Sequence, residues 1–336
     1  MSGVKNIFKT SHKEHCGLTR AQLSEPIFVL QPFMADAIVY GCLYALMSMG
    51  LTLTYMTTKV PNFAHGSFVT VGVYLAFTLY HFENIAAYYS IPVSFLLVGG
   101  TAVAMYRFVL KPLSARGASL VSLMISTLAV DIAFIGIFGI YSDLLSNNYK
   151  VFNSKFFLLA DSDFSILGLR GLTVIAPLFV ALVTVILWLV LTKTKFGIAM
   201  RAAVENPNLA GILGINIERV YLASWFLAGG LAGLAGSLMV LWLPGNPHVG
   251  SDLIVAIFAS SILGGLFSVY GAVIGGLMVG GLTVLVTVYG SQLLGSWVDA
   301  WEVGIPMLIM AGSLLIVPQG ITAVKWRHLF SSLRKQ

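Results

Sequence analysis

The residues of this chain that could do chemistry are few and fall into three places. Lys59 to Gly66 reads KVPNFAHG and joins two apolar runs with almost no polar linker. Pro61 removes a backbone donor and crowds the preceding turn, which disfavours a continuous helix there. Non-helical backbone at membrane depth persists only where protein or a water-filled cavity covers it, and the free N–H and C=O groups of broken helices can bind a solute. Asn62, Phe63, His65 and Gly66 are therefore candidates for lining a translocation path. Two plainer readings stand beside this one: an ordinary turn in which Asn62 caps the next helix, and a His65 that is a satisfied structural histidine. The second place is Asp131, an acid inside an apolar run with Ser126 and Thr127 a turn before it; Asp36 is a similar acid in an earlier run. A charge near a bilayer centre is costly and normally faces a cavity or a partner. The alternative for Asp131 is an acid near the outer end of its span, bonded to a neighbouring helix.

The third place is the basic polar segment from Lys193 to Arg219. Gly197 to Val204 has helix-forming composition, with Arg201 among alanines, and Glu205 and Asn206 interrupt it. Asn206 followed by Pro207 is a helix start, an N-cap and then proline at the first helical position. The short helix Pro207 to Leu213 then stops at Gly214, and Asn216 can cap the next helix, which enters the membrane at Val220. A helix as short as Pro207 to Leu213 is not stable alone in water. Its apolar face, with Leu209, Ala210 and Leu213, calls for a partner surface within the chain or outside it. Arg201, Glu205, Asn206, Pro207, Ala210 and Gly214 are the candidate coupling residues of this loop.

Enzyme chemistry finds no foothold. There is no GxxxxGK[ST] phosphate loop, no HExxH and no GxSxG elbow. Cys16 and Cys42 are too few for a disulfide framework or a zinc site. No metal and no cofactor is expected in this chain, and no aromatic-rich basic stretch suggests nucleic acid.

The elements that must position these residues follow from composition. Hydrophobic residues make up 58% of the chain and charged residues 10%, against about 25% charged in a soluble domain; the mean hydropathy is +0.91. The chain belongs in lipid, and its net charge of +6 reads as topology, because Lys and Arg collect on cytoplasmic loops. Apolar runs near the length of a membrane helix lie at Phe33–Tyr55, Asn62–Tyr80, Ile91–Leu110, Ala118–Ile140, Leu172–Leu191, Val220–Leu243, Leu253–Leu266, Gly271–Tyr289 and Val303–Val317. The expected fold is an all-α integral membrane protein, a polytopic helix bundle of about eight or nine transmembrane segments, some broken or re-entrant. Residues 1–28 read as a polar tail, 29–322 as the membrane domain with 193–219 as its cytoplasmic loop, and 323–336 as a basic cytoplasmic tail. Lys111, Arg116, the 193–219 loop and the C-terminal tail then share the cytoplasmic side. The same count puts the basic N-terminus outside, in conflict with the charge rule. Glycines at four-residue spacing let helices approach closely in lipid; Gly229 with Gly233 and Gly271 with Gly275 fit. Ser260 to Gly271 reads as a weak internal counterpart of the interrupted segment.

Several of these stretches together resemble the LivH-type permease subunit of branched-chain amino acid ABC transporters, over roughly Pro32 to Thr322. GCLYALMSMGLTLTY followed by NFAHGSFVTVGVYLAF (Gly41 to Phe77) looks like the first family signature. RAAVENPNLAGILGIN (Arg201 to Asn216) is similar to the loop that docks on the ATPase. AIFASSILGGLFSVYGAVIGG (Ala256 to Gly276) and IVPQGI (Ile316 to Ile321) match later ones. The resemblance implies a multi-pass plasma or inner-membrane protein, not itself an enzyme. It would work with a second homologous permease subunit, two ABC ATPase subunits and an extracytoplasmic solute-binding protein. Asn62 to Gly66 would lie beside the translocation path, and no tight solute pocket is expected. An importer of urea or short amides and a stand-alone ion-coupled secondary carrier using Asp131 and His65 are the alternatives.

Overall fold

The computed structural model describes residues 32–166, 168–317 and 319–323. The expected tail 1–28, and residues 324–336 of the basic tail, lie outside the described residues. Twelve helices follow in order: α1 Pro32–Thr58, α2 His65–Glu83, α3 Ala87–Met105, α4 Lys111–Ala115, α5 Leu120–Tyr149, α6 Gly171–Lys193, α7 Lys195–Glu205, α8 Pro207–Ile212, α9 Ile217–Met239, α10 Val249–Gly264, α11 Val269–Leu294 and α12 Gly304–Ile316. A π turn, Tyr106–Leu110, joins α3 to α4, and a two-stranded hairpin, Ser165–Ile166 with Leu169–Arg170, precedes α6. Among the described residues six helices are long and apolar enough to cross a membrane, and α10 and α12 are shorter apolar helices. Every apolar run of the sequence falls on a helix.

Two helices form the centre. In the most apolar window, 83% of α1 and 78% of α9 is buried, against 17% of α5 and 28% of α6. With their apolar surface turned outward, α5 and α6 can only face lipid or another membrane chain. The centre is made with small residues, since close packing rather than the hydrophobic effect holds helices together in lipid. Gly276 and Gly280 of α11 lie on the backbone of α1 at Ala45 and Gly41. Interhelical hydroxyl bonds add to this: Thr52 to Ser261 at 2.6 Å, Ser48 to the Ala272 carbonyl at 2.9 Å, and Ser237 to Ser94 at 2.6 Å.

The helices form two related sets that run in opposite senses. α1, α2, α3 and α5 begin at Pro32, His65, Ala87 and Leu120, and α9, α10, α11 and α12 begin at Ile217, Val249, Val269 and Gly304, a nearly constant displacement along the chain. α1 is antiparallel to α9: Asp36 at the start of α1 accepts from Trp242 Nε1 just beyond α9 at 2.9 Å, and Gly50 faces Ala228 halfway along both. Each central helix packs on a member of the other set, α1 on α11 and α9 on α3. This is the arrangement of an inverted repeat.

The polar ends sort by charge. At one end Arg107 and Lys111 both pair with Glu218, which places the Lys111 turn beside the 193–219 loop, as expected. The opposite end holds Asp36, the Asp143–Lys155 pair at 2.6 Å, Asp163 and Glu302. α1 begins at this acidic end.

Candidate functional site

The centre of the site is a point from which two half-helices diverge. α1 ends with Lys59 in the left-handed region (φ 55°). Val60 to Ala64 then turns back without helical structure. α2 starts alongside the middle of α1, where His65 Nε2 lies 2.9 Å from the Met47 carbonyl. α10 starts beside the same point: a Cβ on Gly66 would meet the Gly250 carbonyl oxygen at 2.2 Å, and one on Gly250 would meet that of Gly66 at 1.8 Å. The two backbones touch there because neither residue has a side chain. From this contact α2 runs beside α5 toward the acidic end, and α10 descends beside α1 toward the basic end, where Thr52 meets Ser261 and Tyr55 meets Phe267.

Asp131 binds both N-termini. It is 6% exposed and sits in the middle of α5 rather than near its outer end. Its carboxylate accepts from Ser67 Oγ in the first turn of α2, and from Ser251 Oγ in the first turn of α10 at 3.0 and 2.9 Å. Thr70 Oγ1 accepts from the Gly250 N–H at 3.1 Å. Helix N-termini carry unpaired donors and a partial positive charge. A carboxylate at two of them explains how an acid is tolerated at this depth. It also fills a place that broken-helix transporters often leave for an anionic substrate group.

The remaining path candidates gather round this hub with unequal roles. Phe63 donates its backbone N–H to Thr127 Oγ1 at 3.1 Å and packs its ring on Phe258 of α10, 5.2 Å between centroids. Asn62 is not the side-chain cap of α2. The cap position is Ala64, and the Asn62 Oδ1 and Nδ2 atoms are buried without partners among the described residues. His65 is fully buried against Gly50, one ring nitrogen at the Met47 carbonyl and the other without a described partner.

Sequence reasoning does not single out Ser67, Thr70, Gly250 or Ser251, yet a signal exists. Asn62, Gly66 and Ser67 recur at identical spacing as Asn246, Gly250 and Ser251. The internal counterpart of the interrupted segment is therefore the turn from Val240 to His248, not Ser260 to Gly271. The latter is the tight crossing of α10 on α11, where Gly264 meets Gly271 and Ser260 meets Gly275. Gly229 and Gly233 pack α9 on α3 at Ala102, Val98 and Ser94.

The loop at the basic end has the expected build. Asn206 Oδ1 accepts from Leu209 N–H at 3.0 Å, with Pro207 at the first position of α8. Gly214 takes φ +83°, and the Ile215 N–H returns to the Ala210 carbonyl at 3.0 Å. Asn216 Oδ1 accepts from the Arg219 N–H at 3.0 Å. Arg201 donates to the Leu191 carbonyl, tying α7 to the end of α6. Ala210 is buried, whereas Leu209, Ile212 and Leu213 are exposed at 54%, 83% and 72%. The path candidates and the loop candidates are thus two separate groups, and α7 of the loop packs on α1 and faces the α10–α11 turn at Phe267 and Ser268.

A lipid-embedded bundle with inverted halves, half-helices meeting at its centre and a capped amphipathic stub at one end defines a multi-pass membrane permease. The family of permease components of branched-chain amino acid transport systems matches residues 33–315, and the chain belongs to it. The chain is 44% identical over 296 residues (88% of this chain and 93% of the relative) to a probable branched-chain amino acid transport permease protein LivH of Methanocaldococcus jannaschii. It is 27% identical to the high-affinity branched-chain amino acid transport system permease protein LivH of Salmonella typhimurium, covering 89% and 97% of the two chains. It is 24% identical to the BraD permease of Pseudomonas aeruginosa, covering 86% and 94%. No solved structure matches the chain.

Proposed function

We propose that this chain is one membrane half of an ABC importer for branched-chain amino acids. A second homologous permease supplies the other half, two ATPases dock at the basic end, and a solute-binding protein delivers the amino acid at the acidic end. The observation that carries this reading is the full-length likeness to permeases named for that solute class, which also favours it over urea or short amides. The basic end faces the cytoplasm, since Lys111, Lys193, Lys195, Arg201 and Arg219 collect there. On this reading α12, and α2 and α10 each together with the non-helical turn before it, add three crossings to the six long helices, nine in all.

Work enters at the stub. Leu209, Ile212 and Leu213 project from α8 into solvent, an apolar face that a short helix can keep only against a partner. Arg201 and Glu205 flank it, and ATP-driven closure of the ATPases moves it. α7 passes the movement to the lower end of α1 and to the α10–α11 turn at Phe267 and Ser268, which it faces, and α10 carries it to the hub at Asp131. A two-state shift there opens the path beside Asn62 to Gly66 alternately to either side. ATP is hydrolysed by the partners, so this chain needs no catalytic group.

Reconstitution tests the proposal. In vesicles this polypeptide alone should not concentrate leucine, and addition of the partner permease, the ATPases, ATP and the receptor should restore uptake. Leucine accumulation by the single chain, collapsing with an uncoupler, would establish a secondary carrier instead.

A further inference from the structure

Between α7, the lower end of α1 and the α10–α11 turn lies a cavity of about 480 Å³, within the roughly 300–1,000 Å³ of small-molecule sites. Its walls are mainly apolar, with Met56, Met200, Val204 and Phe267 among them. Two opposite charges stand on one wall. Arg201 and Glu205 are four residues apart on α7, where side chains share a face, and both line the cavity. No ion pair joins them among the described residues, and the only described hydrogen bond of the Arg201 guanidinium goes to the Leu191 carbonyl. The hydroxyl-bearing Tyr270 lies across from them on α11.

A cation and an anion one helical turn apart, above an apolar chamber with two adaptable methionines, match a specific chemical class. We infer that this cavity binds a zwitterionic α-amino acid with an apolar side chain, and that the bound amino acid holds the transporter at rest. The carboxylate meets Arg201, the ammonium meets Glu205, and the side chain enters between Met56, Met200 and Val204. This assignment rests on the importer reading above, in which the cavity opens at the end where the imported solute accumulates.

The location supplies the mechanism. α7 is the arm between the ATPase-facing stub and the bundle, and the α10–α11 turn is the far end of the half-helix that starts at the hub. An occupant wedged between them favours the state in which the cavity is open over any state in which α7 closes onto the α10–α11 turn. A ligand shifts such an equilibrium only by its differential affinity for the two states, and closure of α7 removes the space it occupies. The product of transport thereby lowers its own import.

The test uses the assembled transporter in lipid nanodiscs, where both faces are open to solution. With the receptor kept saturated, L-leucine is titrated and ATP hydrolysis is followed; radiolabelled leucine binding is measured in parallel without receptor. Excess L-leucine should reduce receptor-stimulated hydrolysis about fivefold or more, the usual size of allosteric coupling. Leucinamide, which lacks the carboxylate, and 4-methylpentanoate, which lacks the ammonium, should not. Val204→Phe and Met56→Phe, which fill the cavity from two different helices, should each abolish the receptor-independent binding and the response to added leucine, and, because the filled space cannot close, their hydrolysis at low leucine should already stand at the inhibited level. The inference is overturned if leucine does not inhibit, if 4-methylpentanoate or leucinamide inhibits equally, or if both filled variants bind and respond like the parent. Failure of the leucine-loaded receptor to stimulate hydrolysis would refute the importer reading instead, and the binding arm would still decide the cavity.

Discussion

Placing one methyl group at the contact of the half-helices should disable the transporter without unfolding it. In Gly66→Ala the new Cβ would stand 2.2 Å from the Gly250 carbonyl oxygen, 2.7 Å from its carbon and 3.2 Å from the Ser251 nitrogen. All three are backbone atoms, so no rotamer change relieves the clash. Ordinary contact begins near 3.4 Å, and α10 must retreat by about 1 Å to reach it. Ser251 moves with α10. Its bonds to Asp131, now 3.0 and 2.9 Å, then stretch past the length at which a side-chain contact counts as a hydrogen bond. Overpacking costs about 1–3 kcal/mol, and loss of a hydrogen bond to a charged group about 1.5–3 kcal/mol. Acting on the balance between transport states, about 3 kcal/mol shifts a population roughly hundredfold, at 1.4 kcal/mol per decade. Uptake by the reconstituted importer should fall by one to two orders of magnitude. The thermal midpoint, read by fluorescence in detergent, should fall only modestly. Gly100→Ala is the matched control, because nothing lies within 4 Å of its added Cβ. Normal uptake by Gly66→Ala would refute the reasoning and reduce the Lys59–Gly66 segment to a turn.

Other substitutions separate the two sites. Asp131→Ala leaves the Ser251 hydroxyl without its acceptor and the Ser67 hydroxyl with only the residue 131 carbonyl at 3.4 Å, and should destabilise the protein by about 2–4 kcal/mol, from about 1–3 kcal/mol for the unsatisfied Ser251 group and a smaller loss at Ser67; Asp131→Asn, which keeps an acceptor, should lose markedly less, and denaturant melts in detergent would measure both. Glu205→Lys should abolish ATPase attachment or uncouple hydrolysis from uptake while the permease inserts normally, and unchanged uptake would contradict the docking assignment. Asn206→Ala removes the cap of α8 at a cost of about 1 kcal/mol, visible as faster amide exchange confined to Leu209 and its neighbours. Burial, with Asp299 and Asp36 adding to it, raises the Glu302 carboxyl above its ordinary value against the hydrogen bond from Tyr40. The native state therefore binds more protons there than the unfolded chain, and stability falls as pH rises between the ordinary and the raised value. Glu302→Gln should flatten that part of the pH–stability curve.

Part of this arrangement is legible in the sequence, for physical reasons that also explain where legibility stops. Helix ends are local chemistry. Asn206, Pro207, Gly214 and Asn216 announce α8 and its neighbours because a cap bonds donors two or three residues away. Pro61 announces the break after α1 for the same kind of reason. Asp131 stands out because a carboxylate in an apolar run is rare. Its partners are not local: Ser67 and Ser251 are 64 and 120 residues from it in the chain. An isolated serine in a membrane helix ordinarily bonds the carbonyl one turn back, as Ser224 and Ser260 do here. Asn62 misleads for the opposite reason, since its position before a helix looks like a cap while the backbone turn closes two residues later.

The internal repeat is the longest-range feature, and it changes how the site is understood. Little of the residue identity survives between the halves apart from the shared Asn, Gly and Ser, but the spacing of helix starts is retained. The two half-helices are therefore equivalent elements pointing in opposite senses, and Asp131 belongs to neither of them. It sits on α5, from outside both, and grips the first turn of each. A carboxylate placed this way makes separation of the halves costly at one point while leaving their far ends free to move. Those far ends meet different partners, α2 toward the acidic end and α10 at the start of α11, where Gly264 meets Gly271. In the proposed coupling, displacement of α10 would pull through Ser251 on Asp131, and through it on Ser67 and α2. On that proposal, a hub of three side chains and two glycines carries a movement begun at the basic end toward the acidic one.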